Sequence, residues 1–205
     1  MEETRRERKK RMTRQLIAET ALRLFAEQGY EQTTVAQITS AADVATKTFF
    51  NYFPSKEDVL FAHTERHSRV LLDTLAARRE GESIPDLLAR VYEETIARYV
   101  AEDPPMERER ELSQAYAHMI MTVPALQAKA LHLMLDLQRR IAEELLKAFP
   151  GELDPVSAGA AVGAMMGAVQ GAGLAGAAIG RSQAEVLDAL RRGIEVAMAG
   201  VRSFG

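Results

Sequence analysis

The sequence predicts an all-α protein: a small N-terminal three-helix domain followed by a larger helical one. Three observations carry that expectation. No run alternates apolar and polar residues, and Val, Ile and Thr never cluster between turn residues, so strand signals are missing. Apolar residues recur instead at three- and four-residue spacing. Hydroxyl or carboxylate N-caps and Gly or Pro stops punctuate those stretches at intervals that suit about nine helices.

Taken in order, Leu16, Ile17, Thr20, Ala21, Leu24 and Phe25 form the first stripe, and Gly29 caps it. Thr34 with Gln37 makes a capping box for a very short helix, "VAQITSAA". Asp43 tolerates the left-handed backbone of a tight turn, and Val44 to Phe53 reads as another short helix. Ser55 with Asp58 opens what reads as one long helix to Gly81, and Ser83 with Asp86 opens the next, closed by "EDPP". Helices over roughly 106–121 and from Pro124 to about Ala148 follow, the second stopped by "FPGELDP". Asp154 and Pro155 suit the start of a segment ending at Gly180, and Ser182 with Glu185 boxes a final helix.

The 205 residues carry a net charge of −3 that is unevenly spread. Residues 1–56 hold ten Lys/Arg against seven Asp/Glu, and residues 57–205 hold sixteen against twenty-two. Arg5, Arg6, Arg8, Lys9, Lys10, Arg11 and Arg14 supply most of the positive end, the pattern of a polyanion-binding module on a body that is not one. Cysteine is absent, which excludes a disulfide scaffold or thiolate site and fits a cytoplasmic protein. The N-terminal "MEETRRERKKRMTRQ" has no apolar stretch, so no secretory signal is expected. No nucleophile elbow, phosphate loop or dinucleotide fingerprint occurs, so no enzyme activity and no cofactor are expected. His63 and His67 share a helix face, but the Glu between them stands at the wrong position for a metalloprotease motif, and His118 and His132 are isolated.

Four of the twelve Phe and Tyr residues, Phe49, Phe50, Tyr52 and Phe53, fall within five positions of "VATKTFFNYFPSKEDVL". A two-turn helix cannot hold itself by propensity and must be clamped by tertiary contacts. Val44, Phe49 and Phe53 can supply them against Ile38 and the Leu24/Phe25 stripe, each burial contributing roughly 1.5–3 kcal/mol. Thr46, Lys47, Thr48, Asn51 and Tyr52 are left facing outward.

Residues 10–65 resemble the DNA-binding domain of the TetR family of bacterial transcriptional regulators, through "IAETALRLFAEQGYEQTTV", the turn "AADV" and "TFFNYFPSKEDVL". The resemblance implies a helix–turn–helix core over 34–53 within a DNA-binding domain of residues 1–54, and a ligand-binding and dimerisation domain over 55–205. It makes Thr46, Lys47 and Thr48, with Asn51 beside them, the major-groove candidates, and Thr34, Tyr52 and Lys56 phosphate contacts aided by helix N-termini. Asp43 stands where the family commonly has Gly, and Lys47 where a small residue is frequent. Phe50 replaces a common Tyr, removing one hydroxyl from the phosphate contacts.

"PVSAGAAVGAMMGAVQGAGLAGAAIG" runs 26 residues without a charge, with Gly159, Gly163, Gly167 and Gly171 on one face. So few Leu, Ile or Phe give little drive for membrane insertion, and repeated Gly is expected to serve close helix packing. In the resembled family the last two helices, here about 155–202, pair with their copies in a homodimer, which would double a short recognition helix onto a palindromic double-stranded DNA operator. Tyr92, Tyr99, Tyr116, Met119, Met134, Met166 and Gln170 could line one pocket in the middle of the chain, where the family carries an inducer, and their low charge suggests a hydrophobic small-molecule effector. The expected function is a repressor released from its operator by that ligand. The alternatives are a DNA-binding dimer answering to a partner protein, or to no ligand, and a protein anchored in a membrane by the Gly/Ala helix.

Overall fold

The computed structural model describes residues 4–62, 64–102, 118–178 and 183–202. Among them all regular structure is helical: α1 (Arg5–Gln28), α2 (Val35–Ala41), α3 (Thr46–Tyr52), α4 (Lys56–Leu60), α5 (Thr64–Ala76), α6 (Ile84–Glu102), α7 (Pro124–Ala148), α8 (Pro155–Ala178) and α9 (Gln183–Arg202). Residues 118–122 are helical as well. The all-α expectation holds; the cap at Gly180 and the Ser182 box lie outside the described residues.

The caps explain where the helices start. Thr4 and Glu7 form a capping box on α1, and Thr34 and Gln37 form another on α2. The Ser55 hydroxyl accepts from Asp58 N–H at the head of α4. Asp154 Oδ1 accepts from Val156 and Ser157 N–H at 2.8 and 3.1 Å at the head of α8; the Ser157 hydroxyl, donating to Oδ2, and then these two bonds hold its carboxyl below its ordinary pKa. Gly29, at φ +89°, closes α1 in a backbone region that disfavours side chains.

The single long helix expected from Ser55 to Gly81 is two helices. α4 stops at Leu60, the chain turns at Phe61–Ala62, and α5 runs only to Ala76. No Gly or Pro marks the break. Arg14 of α1 donates from Nη1 to the Ala62 carbonyl, and its guanidinium stands 5.0 Å from the Phe53 ring centroid. A contact distant in sequence therefore satisfies the turn, and no local signal announces it.

The contacts divide the chain into two compact units, residues 1–66 with 104–132 and residues 67–103 with 133–205. In the first, α1 packs on α2 and α4, and α2 packs on α3. Ile17, Phe25, Tyr30, Ile38, Phe49 and Phe53 form its core, joined by Val59, Leu60, Met119 and Leu126. Lys129 Nζ pairs with Asp58 Oδ1 at 2.7 Å.

In the second unit α9 lies along α8 and against α6. Leu75, Leu87, Leu88, Ile141, Leu145 and Ile194 are among its buried residues. Two arginines fasten the α5–α6 loop. Arg78 Nη1 donates to the Ala148 carbonyl at 2.6 Å with its guanidinium 3.7 Å from the Phe149 ring, and Arg90 grips Glu82 from Nε and Nη2 at 2.6 and 2.8 Å. Every side-chain nitrogen or oxygen that is wholly shut off from solvent among the described residues has a hydrogen-bond partner.

Within one chain the close approach expected of the glycine series is not made by that series. A Cβ added at Gly159, Gly167 or Gly171 would meet nothing within 4 Å, and one at Gly163 would meet only Gln138 Nε2, at 3.1 Å. The close approach is made by Gly193 of α9, whose Cβ would stand 3.0 Å from the Ala168 carbonyl oxygen and 3.2 Å from Ala172 Cβ. Repeated Gly marks a smooth face, but which helix lies closest depends on the partner's own side chains. Among the described residues no helix is long and apolar enough to cross a membrane.

Candidate nucleic-acid interface

The corner built by α2, the turn and α3 is fixed from inside. Phe49 and Phe53 are buried, 5.7 Å apart between ring centroids, and Val44 packs half-buried against the same cluster. The clamp expected from Val44, Phe49 and Phe53 is present. Tyr30 joins it, 5.2 Å from Phe25, and donates its hydroxyl to Glu57. Burial and that bond both raise the phenol pKa. Burial alone would raise that of Glu57, but the Tyr30 bond and further hydrogen bonds outweigh it and hold the carboxyl below its ordinary value.

The turn passes through Asp43 at φ +51°, the sole non-glycine with positive φ among the described residues. No Asx hydrogen bond supports it; Asp43 N–H bonds the Ser40 carbonyl at 3.3 Å and Val44 N–H the Thr39 carbonyl at 3.0 Å. α3 then begins at Ala45, which offers no side-chain cap, so its first N–H groups have no cap acceptor.

Around α3 the buried and exposed residues separate cleanly. Thr46, Lys47, Phe50 and Asn51 are exposed at i, i+1, i+4 and i+5, one continuous face, while Thr48 and Tyr52 are half-buried at its edges. The Lys47 ammonium has no ion-pair partner among the described residues. Phe50 is 52% exposed and meets Phe49 edge-on at 5.3 Å. On family pattern Phe50 counts only as a missing hydroxyl, yet its spacing from Thr46 and Lys47 already places it on their face.

Two of the expected phosphate contacts are already engaged. Lys56 Nζ donates to the carbonyls of Tyr30 and Thr33 at 2.9 and 3.1 Å and stands 3.9 Å from the Tyr30 ring centroid. Two of its three hydrogens thus hold the α1–α2 connection. The Thr34 hydroxyl accepts from Gln37 N–H at 3.2 Å and donates to Gln37 Oε1 at 3.0 Å.

The described residues expected around a ligand are divided between the two units. Met119 belongs to the first unit's core, whereas Tyr92 and Met166 belong to the second's. Met134 is half-buried on α7 and Gln170 is exposed on α8. The Tyr99 side chain and Tyr116 lie outside the described residues, as does His63 of the histidine pair. Composition named these residues, but side-chain direction, which composition does not carry, decided their neighbours.

Tyr92 lines a cleft of about 170 Å³ with Glu93, Ile96, Ala97, Leu187 and Arg191. It is 9% exposed, its hydroxyl has no partner among the described residues, and burial pushes its pKa up to about 12 against the opposing charge of Arg191. No group of three or more metal-ligating side chains occurs among the described residues.

Residues 17–63 match the family described as bacterial regulatory proteins, tetR family. The HTH-type transcriptional regulator TcmR of Streptomyces glaucescens is 33% identical over 138 residues, 67% of this chain and 60% of that protein. The chain thus spans well under two thirds of the length of that relative. Among solved structures, Thermus thermophilus FadR, a TetR-family transcriptional repressor in complex with lauroyl-CoA, superposes with a TM-score of 0.53 at 26% identity, covering 92% of each chain. A transcriptional regulator from Aquifex aeolicus shares the fold, with a TM-score of 0.54 at 21% identity over 90% of this chain and 98% of that one.

Proposed function

Because the chain belongs to the TetR family of bacterial regulatory proteins, we propose that it is a sequence-specific DNA-binding transcriptional regulator and not an enzyme, a repressor that a small ligand releases from a palindromic operator. The observation that carries this reading is the α3 face. Thr46, Lys47, Phe50 and Asn51 stand exposed together while Phe49 and Phe53 lock the helix from behind. Such a face fits the major groove: Lys47 suits guanine O6 and N7, Asn51 suits adenine, and Phe50 suits a thymine methyl. Thr48 and Tyr52 flank it, and Thr34 and Lys56 contribute to phosphates only with the valences their internal bonds leave free.

In this reading residues 1–54 read DNA, and residues 55–205 bind the effector and pair two copies through about 155–202. The outer face of α8 supports the pairing. Val156, Ala160, Ala164, Gly167, Gly171 and Ala175 are exposed or half-buried, small and uncharged, and space remains at both glycines for a closely packed partner helix.

An effector would enter beside Tyr92. Ile96 and Leu187 offer an apolar wall, and the Tyr92 hydroxyl and Arg191 offer donors for one polar group, which suits an amphipathic molecule. The lauroyl-CoA held by FadR supports a lipophilic ligand. The size of the cleft favours a second reading, control by a partner protein, because about 170 Å³ falls short of the roughly 300–1,000 Å³ typical of small-molecule sites.

Fluorescence anisotropy on labelled duplex from the region upstream of the gene, with random duplex as competitor, tests the DNA reading. Operator binding that outlasts the competitor and weakens at least tenfold in Lys47→Ala is the expected result. Equal affinity for both duplexes would overturn sequence reading. A thermal-shift screen with lipophilic acids decides between ligand and partner: no shift with any of them favours the partner.

A further inference from the structure

The basic segment at the chain's start is not accounted for by packing. α1 begins at Arg5, yet every side chain from Arg5 to Met12 is exposed, so about two turns of helix contribute nothing to the core. Arg5, Arg6, Arg8, Lys9 and Lys10 are exposed, and none has an ion-pair partner among the described residues. The nearest acid, Glu7, is held by the Thr4 backbone and hydroxyl in the capping box.

Local electrostatics oppose this arrangement twice. Arg5 and Lys9, and Arg6 and Lys10, are like charges at i,i+4, and Arg5 and Arg6 sit in the first turn, at the positive end of the helix dipole. An anionic surface along the helix relieves both penalties, which solvent alone does not.

The root of the segment has a defined place. Arg14 lies over the Phe53 ring, one residue beyond the end of α3, and donates to Ala62. The cations therefore project along a rigid rod that starts beside the C-terminal end of the DNA-reading helix. Nine residues from Arg14 to Arg5 span about 14 Å, alongside which duplex DNA presents about eight phosphate charges.

We propose that the Arg5–Lys10 arm of α1 is a second DNA-contacting element, which binds the phosphate backbone next to the base pairs met by α3. This rests on the DNA-binding reading above and extends it beyond the helix–turn–helix. The arm adds affinity without sequence information, because phosphates are the same at every step.

The test compares wild type with the fourfold variant Arg5→Gln, Arg6→Gln, Lys9→Gln, Lys10→Gln on the same duplex across a salt series. The slope of log affinity against log salt is expected to become shallower by about 0.9 for each phosphate the variant no longer neutralises. Operator preference over random duplex should persist, and the thermal midpoint should not fall, since the four side chains touch no core residue. The variant Arg6→Glu, Lys10→Glu, which changes the arm's charge by the same amount with half the substitutions, should lose affinity at low salt as well. Unchanged slopes in both variants, with operator binding intact, would overturn the arm while leaving the α3 reading standing. Absence of duplex binding by wild type would overturn both.

Discussion

A Cβ placed on Gly193 would stand 3.0 Å from the carbonyl oxygen of Ala168, so a methyl group there fits only if the α8 backbone gives by a few tenths of an ångström. Gly193→Ala gains about 1 kcal/mol of helix propensity but overpacks a backbone contact, which costs about 1–3 kcal/mol. The net expectation is a modest loss, and Gly193→Val should lose about 2–4 kcal/mol in a denaturant melt.

Gly167→Ala makes the opposite case. Nothing lies within 4 Å of the added methyl, so the helix should gain about 1 kcal/mol in the isolated chain. If α8 pairs with a second copy, the same methyl should weaken self-association. Sedimentation at a series of concentrations reads the second effect and thermal melting the first. A gain in stability with unchanged association would remove α8 from the interface.

Lys56 and Lys47 should behave differently, although family pattern points both at DNA. Lys56→Ala leaves the Tyr30 and Thr33 carbonyls without their donor and should lower stability by about 1–3 kcal/mol, seen as a lower thermal midpoint. Lys47→Ala touches no internal partner, so its stability should stay within about 0.5 kcal/mol of wild type while DNA affinity falls.

Phe50 offers an apolar face where the other exposed α3 residues are polar. Replacing thymine by deoxyuridine in the operator removes only a methyl group, and one position is expected to weaken wild-type binding by about 1 kcal/mol. Phe50→Ala should abolish that difference at the same position. Equal weakening in wild type and variant would show that Phe50 does not meet the methyl.

The Glu82–Arg90 pair sets an acid limit. Its hydrogen bonds from Arg90 hold the Glu82 carboxyl at about 2, against an ordinary value of 4.5. Since the folded state favours the ionised form, the contribution is present above about pH 4.5 and is lost as pH falls towards 2. With solvent screening it amounts to about 1–2 kcal/mol. Acid titration of unfolding free energy should show a shallower fall over that window in Glu82→Gln than in wild type.

The all-α class, the caps at Thr34, Ser55 and Asp154, and the helix–turn–helix corner could all be read in the sequence. Each is set by residues within a few positions of one another: a hydroxyl reaching an N–H three residues on, or an aromatic repeating at helical spacing. The placing of Phe49 of α3 and Phe53 just after it inside, and of Thr46, Lys47 and Asn51 outside, follows from the same periodicity. Tertiary structure decided the rest. The break after Leu60 depends on Arg14, 48 residues away from Ala62, and the capture of Lys56 depends on carbonyls of the α1–α2 connection. Among the described glycines the tightest contact falls on Gly193 instead of the regular Gly159–Gly171 series, and Met119 enters the first unit's core while Tyr92 enters the second's. Local rules state which face of a helix is apolar, but which residue of another helix fills the space opposite is a property of the packed chain.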